Sequence, residues 1–426
     1  MELYILFGSL VVMLILGIPV AIALAGSALL FILTSSPVPP LIVAHRMING
    51  VDSFPLLAVP FFILAGNLMN TAGITKRIFD FALSIVGWLR GGLGHVNVGA
   101  SVIFAGMSGA AVADAGGLGA IEIKAMRDAG YDDDFSVGVT AASSTIGPII
   151  PPSLPMVIYG VVAGVSIGQL FAAGFIPGLI MALSLMALVA FIAWRRGYPR
   201  DQAFRLSVLW YSFRRAFLSL LTPVIIVGGI LTGAFTPTEA AVAACAYALF
   251  LGLIVYRTLT IRRFLRVSFD TIETTAVVLL VVGAASIFAW VLTANRVPEM
   301  IAGMLLSASD RPWVILLLIN FILLVVGCFM ETVAAITIMV PVLLPVAMEL
   351  GIDPVHFGVI MVLNLMIGLL TPPVGMVLYV LARVANIRFE QAVVGTAPFI
   401  VPLVAVLLLI TFVPTVTMWL PTLIYR

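Results

Sequence analysis

The chain has 426 residues, of which 62% are hydrophobic and 9% charged, against roughly a quarter charged in soluble domains. That excludes a soluble globular enzyme and makes the chain a polytopic membrane protein. A net charge of +2 gives no support to a nucleic-acid partner, and the pattern is of long apolar runs rather than the alternation of a closed barrel, so helices cross the bilayer.

In chain order, residues 3–44, 135–194, 240–256, 274–295, 312–330, 354–382 and 391–425 contain no Asp, Glu, Lys or Arg. Each run is near or beyond the roughly 20 residues that span a bilayer as a helix. The number of spans is ambiguous by one around 297–309. The opening "MELYILFGSLVVMLILG" lacks the basic flank and small-residue cleavage site of a signal peptide, so the first apolar segment is expected to be retained.

"FAGMSGAAVADAGGLGAIEIKAM" (104–126) is too rich in Gly, Ala and polar residues for a lipid-facing span. It reads as a re-entrant helical hairpin, because irregular backbone at membrane depth must be enclosed by protein or line a cavity. Its turn is expected within 107–113, with Ser108 at the tip and Asp114 as the deepest acid. A carboxylate there is costly unless it meets a cation or a proton; capping a helix is the plainer role.

The next segment, "STIGPIIPPSLPMVIYG" (144–160), concentrates prolines inside an uncharged run. Proline has no N–H, so within a helix it leaves the carbonyl four residues earlier unpartnered. Pro148 would free Ser144, Pro151 would free Gly147 and Pro152 would free Pro148. Such carbonyls persist in hydrocarbon only where protein, water or an ion satisfies them. Ser143, Ser144 and Ser153 supply oxygens close by.

Arginines cluster in 194–215 and 256–266, two connections that the positive-inside rule places in the cytoplasm, with about two spans' worth of chain between them. The second half then echoes the first. Gly368 follows Gly147 by 221 residues (368 − 147 = 221), and Pro372 follows Pro151 and Gly351 follows Gly130 at the same offset. In "GLLTPPVGMVLY" (368–379) Pro372 would free Gly368 and Pro373 would free Leu369, with Asn364 and Thr371 nearby. Upstream, "VGCFMETVAAITIM" (326–339) carries Gly327, the counterpart of Gly106, and an acid, Glu331. The expected architecture is one transmembrane domain over 1–426: repeat 1 over about 54–194, a basic connection with intervening helices over 195–270, and repeat 2 over about 271–426.

Repeat-related broken helices flanked by oxygen donors are how secondary transporters hold Na⁺ and present helix N-termini to an anion; simple proline kinks are the alternative. Cys245 and Cys328 fall in apolar segments and read as packing residues, and His45, His95 and His356 stand alone near segment ends. Arg383 follows the second break and reads as an interfacial arginine rather than a substrate ligand. No HExxH, Walker A or GxSxG motif is present, so neither catalysis nor an organic cofactor is expected.

"SGAAVAD" (108–114), "AASSTIGPIIPPSLPMVIYGVVAGVSIGQLF" (141–171) and "GIDPVHFGVIMVLNLMIGLLTPPVGMVLYV" (351–380) resemble the large membrane subunit of tripartite ATP-independent periplasmic (TRAP) transporters of the dicarboxylate or sialic acid type, and the resemblance covers nearly the whole chain. It implies a bacterial or archaeal inner-membrane protein with inverted repeats and an elevator mechanism, coupled to Na⁺. The implied partners are a small four-helix membrane subunit and a periplasmic substrate-binding protein that delivers an organic acid. Carried onto this chain, it points to Na⁺ at Ser108, Asp114, Ser144, Gly147, Glu331, Gly368 and Thr371, with Pro148 beside them. "AGGLGAIEI" (115–123) departs from the family pattern through Gly116, Gly117 and Glu122. A self-sufficient Na⁺/anion symporter and a non-transporting scaffold remain the rival readings.

Overall fold

Long apolar runs become helices because only a helix satisfies its own backbone N–H and C=O groups in hydrocarbon. The computed structural model describes residues 3–35, 38–198, 200, 203, 205–308 and 311–425. Among them eight helices are long and apolar enough to cross a membrane: Phe54–Thr71, Ile167–Arg196, Leu206–Leu231, Pro237–Val255, Ile261–Ala294, Pro312–Phe329, Thr332–Glu349 and Phe389–Phe412. The first charge-free run holds two shorter helices, Leu3–Ile15 and Val20–Ser35. The ambiguous stretch near 297 is a separate helix, Val297–Ala308.

The arginine-rich stretch 194–215 is a connection only in part, because helix Leu206–Pro223 begins inside it and carries Arg214 and Arg215. The next helix, Pro237–Phe250, starts at "TPTE": Thr236 and Glu239 cap each other's backbone N–H, and Pro237 occupies the first turn, where its missing donor costs nothing.

The small-residue segment folds into the expected hairpin. Its arms are Gly92–Ser108 and Ala111–Asp128, and the turn falls at Gly109 and Ala110. The second hairpin, Pro312–Phe329 and Thr332–Glu349, turns at Met330 and Glu331, again 221 residues on (330 − 109 = 221). Each hairpin is followed by a helix broken at its prolines: Asp133–Ser144 resumes as Leu154–Ala163, and Pro354–Gly368 resumes as Met376–Ala385. Both Pro–Pro bonds, 151–152 and 372–373, are cis.

The two halves exchange partners. Ala111–Asp128 packs against Met376–Ala385, and Thr332–Glu349 against Leu154–Ala163, so the second arm of each hairpin lies on the resumed helix of the other half. At the first of these approaches a Cβ at Gly119 would press on Leu381 Cδ2 at 3.3 Å, whereas one at Gly116 would make only an ordinary contact with Val380 Cγ1 at 3.6 Å. Tyr159 ties the halves further, its hydroxyl donating to the Pro354 carbonyl at 2.6 Å.

Candidate cation and substrate site

The first break is sealed from the surface. Residues 145–153 are buried throughout, so each carbonyl freed by a proline must find a partner within the protein, a buried water or an ion. Ser153 answers one of them. It caps Leu154–Ala163 by accepting from the Met156 N–H at 3.2 Å while its hydroxyl donates to the Pro148 carbonyl. Its role is therefore to close the break. The carbonyls of Ser144 and Gly147, by contrast, receive no hydrogen bond among the described residues.

Asp114 reaches this point from the hairpin. It lies in the first turn of Ala111–Asp128, where the helix dipole favours negative charge, and it is 2% exposed. A Cβ on Gly147 would collide with Asp114 Oδ2 and lie 3.5 Å from the Ser144 carbonyl oxygen. Glycine at 147 thus gives the carboxylate its seat. The hydroxyls of Ser144 and Thr145 donate backward to Ala141 and Ala142 at 2.8 and 2.6 Å, which leaves their oxygen lone pairs available to a cation. Ser108 ends the first hairpin arm, and its side chain lies outside the described residues.

Ser143 is committed elsewhere. Its hydroxyl donates to Asn97 Oδ1 at 2.5 Å, and Asn97 donates in turn to Thr140 Oγ1 at 2.7 Å. The repeat-equivalent position, Asn364, donates to the carbonyl and the Oδ1 of Asn320 at 2.9 and 3.0 Å, and Asn320 donates to Thr411 at 3.0 Å. Each first hairpin arm is therefore bolted to a broken helix through an asparagine. Neither Asn97 nor Asn320 stood out in the sequence, because a lone amide in an apolar segment has no motif. Asn364 Oδ1 is buried with no hydrogen-bond partner among the described residues.

The second break corrects the carbonyl argument. The Gly368 carbonyl, expected to be orphaned by Pro372, accepts the Thr371 N–H at 2.9 Å because the chain tightens into a turn as the helix ends. The Leu369 carbonyl is taken by the Val377 N–H at 3.3 Å. Gly368 instead serves packing: a Cβ there would lie 2.6 Å from the Cα of Gly327. Thr371 is half-buried and donates to Ile367 at 2.7 Å, and Pro372 and Pro373 are exposed, so this break is open where the first is sealed. Glu331 caps Thr332–Glu349, accepting from the N–H groups of Val333 and Ala334 at 2.8 and 3.3 Å. It is the acid of the second hairpin's turn, not a counterpart of Asp114.

Hairpin tips and breaks are joined directly in both halves. The Gly109 carbonyl accepts the Leu154 N–H at 3.3 Å, and the Cys328 carbonyl accepts the Gly375 N–H at 3.4 Å. Beside the first junction lies a cavity of about 170 Å³, lined by Asn67, Asn70, Phe104, Ala110, Leu154 and Thr274 among others, none of them charged. Ala110 and Leu154 stand at the N-termini of two helices, so two positive dipole ends converge on it. Gly117 faces Asn70 at its wall, with a Cβ position 3.6 Å from Asn70 Nδ2. Asn67 and Asn70 carry no motif and Thr274 is only the first residue of a charge-free run, so none of the three stood out in the sequence. The two breaks are legible as proline clusters; the wall opposite them is not.

His356 and Thr417 form a buried hydrogen bond of 2.6 Å, and Arg383 is exposed. Neither joins the cavity.

Residues 7–416 match the family described as "Tripartite ATP-independent periplasmic transporter, DctM component". Over 407 residues the chain is 53% identical to the sialic acid TRAP transporter large permease protein SiaM of Vibrio cholerae, covering 96% of this chain and 95% of that protein. It is 45% identical over 413 residues to the sialic acid TRAP transporter permease protein SiaT of Haemophilus influenzae, covering 97% of this chain and 67% of that protein. The Alcanivorax borkumensis YdaH transporter, known from a crystal structure, shares the fold with a TM-score of 0.59 at 14% identity over 87% of both chains.

Proposed function

This chain belongs to the DctM component of the tripartite ATP-independent periplasmic transporters, and from that premise we propose that it couples Na⁺ entry to the uptake of an organic acid. It is a multi-pass inner-membrane permease subunit of a secondary transporter, not an enzyme. The observation that carries the Na⁺ reading is the seating of Asp114 on Gly147, beside the Ser144 carbonyl, in the sealed break. A hard cation takes oxygen ligands, and carboxylate, backbone carbonyl and serine hydroxyl are gathered there from a hairpin and a broken helix. In the second half the candidate oxygens would be Thr371, in the turn after Gly368, and the Asn364 Oδ1 atom, with Glu331 at the hairpin turn.

The acid would occupy the cavity at the first hairpin tip, its carboxylate toward the two helix N-termini and its hydroxyls toward Asn67, Asn70 and Thr274. Amide and hydroxyl walls suit a hydroxyl-rich acid, the class for which SiaM and SiaT are named. A periplasmic binding protein would deliver it, and a small four-helix membrane subunit would hold the scaffold. SiaT is longer than the part matched here, which leaves room for such a subunit within one chain. The hairpins and broken helices of both repeats, in inverted orientation, would form the body that moves as an elevator.

The test is thermal unfolding of the detergent-solubilised chain in NaCl against matched KCl and choline chloride. A ligand at a hundredfold excess over Kd stabilises the folded state by about 2.7 kcal/mol. A Na⁺-specific rise is expected in the native chain and absent in Asp114→Ala; an equal rise in both removes Asp114 from the site. Uptake into proteoliposomes with and without the binding protein then separates the tripartite transporter from a self-sufficient symporter.

A further inference from the structure

The amphipathic helix Ile74–Val86 packs along Leu206–Pro223, and a cavity of about 250 Å³ opens between them. Arg77 and Asp80 line it from the first helix, and Tyr211, Ser212 and Arg215 from the second, with Leu83 and Val208 supplying apolar wall. It has no part in the cation and substrate site, which involves none of these residues.

Two features mark it as built to receive an anion. The Arg77 guanidinium is fixed before any ligand arrives: it lies 3.6 Å over the Tyr256 ring and donates to the Gly73 carbonyl at 2.8 Å. Stacking on a ring leaves the edge of the guanidinium free to make further hydrogen bonds. Arg215 lies 5.6 Å over the Tyr211 ring in the same way. The ion pairs among the described residues all involve Arg127 or Arg196, so neither cavity arginine is held in one, although Asp80 shares the cavity.

The surroundings are those of a bilayer surface. Tyr211 of the cavity wall, its chain neighbour Trp210, and Trp88 just past the end of the first helix are exposed at 61%, 60% and 42%, as aromatic side chains are at headgroup level. The helix is amphipathic, burying Ile74, Ile78, Phe79 and Ala82, and Phe81 and Phe213 meet beside the cavity with centroids 5.8 Å apart.

The geometry points to a binding site for a phospholipid headgroup, with its phosphodiester between Arg77 and Arg215 and a donor-bearing headgroup tip on Asp80. Arginine recognises phosphate through paired N–H donors. A carboxylate in the same cavity would repel a bare phosphate but accepts a hydrogen bond from an ammonium or a glycerol hydroxyl. The site therefore takes phosphatidylethanolamine or phosphatidylglycerol, and it disfavours phosphatidylcholine, whose quaternary ammonium carries no N–H. Leu83 and Val208 would meet the glycerol and first acyl carbons.

The experiment is native mass spectrometry of the full chain, delipidated in detergent, titrated with each of these three lipids and with soluble glycerol 3-phosphate. Phosphatidylethanolamine and phosphatidylglycerol are expected to bind about tenfold more tightly than phosphatidylcholine, and glycerol 3-phosphate to show no saturable binding. Arg215→Gln, at an exposed position, should weaken the binding of all three lipids about tenfold without changing the lipid-free melting temperature. Arg77→Gln should do the same for lipid but will also soften the fold, so Arg215→Gln is the deciding variant. Asp80→Asn should bring the three lipids together while keeping phosphate binding. Unaltered lipid affinity in Arg215→Gln overturns the site, and saturable binding of glycerol 3-phosphate replaces the lipid by a free phosphate.

Discussion

Asp114 and Ser143 show how two buried polar residues of one neighbourhood take different roles. Ser143 gives its hydrogen to Asn97 Oδ1 at 2.5 Å, so its work is to hold the hairpin arm against the broken helix. Removing that hydroxyl leaves a buried acceptor unsatisfied, which costs about 1–3 kcal/mol. Ser143→Ala should therefore lower the melting temperature and still keep the Na⁺-specific rise. Gly147→Ala should behave in the opposite sense, since its methyl group would enter the space held by Asp114 Oδ2: a folded chain without the Na⁺ response. Salt-dependent melting curves of the two variants, run side by side, read both outcomes. A lost response in Ser143→Ala would return its hydroxyl to the ion.

At the scale of elements, glycine decides how closely the helices approach. A Cβ on Gly368 would lie 2.6 Å from backbone atoms of Gly327, and backbone cannot rotate away as a side chain can. Gly368→Ala should destabilise by about 1–3 kcal/mol or more, because the whole helix must move. Gly116 differs: its Cβ would meet Val380 Cγ1 at 3.6 Å, an ordinary contact. There alanine should stabilise by up to about 1 kcal/mol through helix propensity. Chemical denaturation of both variants checks the contrast, and equal effects would show that glycine at 368 is not set by Gly327. The same positions show how far the sequence could be read. The Pro–Pro pairs and the turn near 107–113 were visible because proline and small-residue clusters have direct backbone consequences. That Gly368 packs, while Gly147 makes room for a carboxylate, was not visible. Repeat-equivalent glycines look alike in sequence, and only the partner brought in by the fold distinguishes them. Gly109 was likewise hidden within "SGAAVAD": it turns the hairpin at φ +61°, with a Cβ position 2.7 Å from the Pro152 carbonyl oxygen.

For the whole molecule, the exchanged packing of the hairpins raises the question of which parts move together. Each hairpin is joined to its own broken helix at the tip and to the other half's resumed helix along its second arm. In an elevator these contacts would carry the four elements as one body. Helix Phe54–Thr71 faces that body across the cavity and carries Asn67, which donates to Thr271 on Ile261–Ala294 at 3.2 Å. An elevator requires this helix to stay while the hairpins slide past it. The Asn70 and Gly117 pair tests that directly, since the Cβ position of Gly117 is 3.6 Å from Asn70 Nδ2. With Cys245 and Cys328 replaced by serine, Asn70→Cys and Gly117→Cys place two thiols across the boundary within reach of a disulfide or of a bridging mercuric ion. Oxidation should stop Na⁺-driven uptake, and a reductant should restore it. A cross-linked chain that transports at the uncross-linked rate would show that this boundary does not slide, and transport would then have to proceed by opening at the hairpin tips alone.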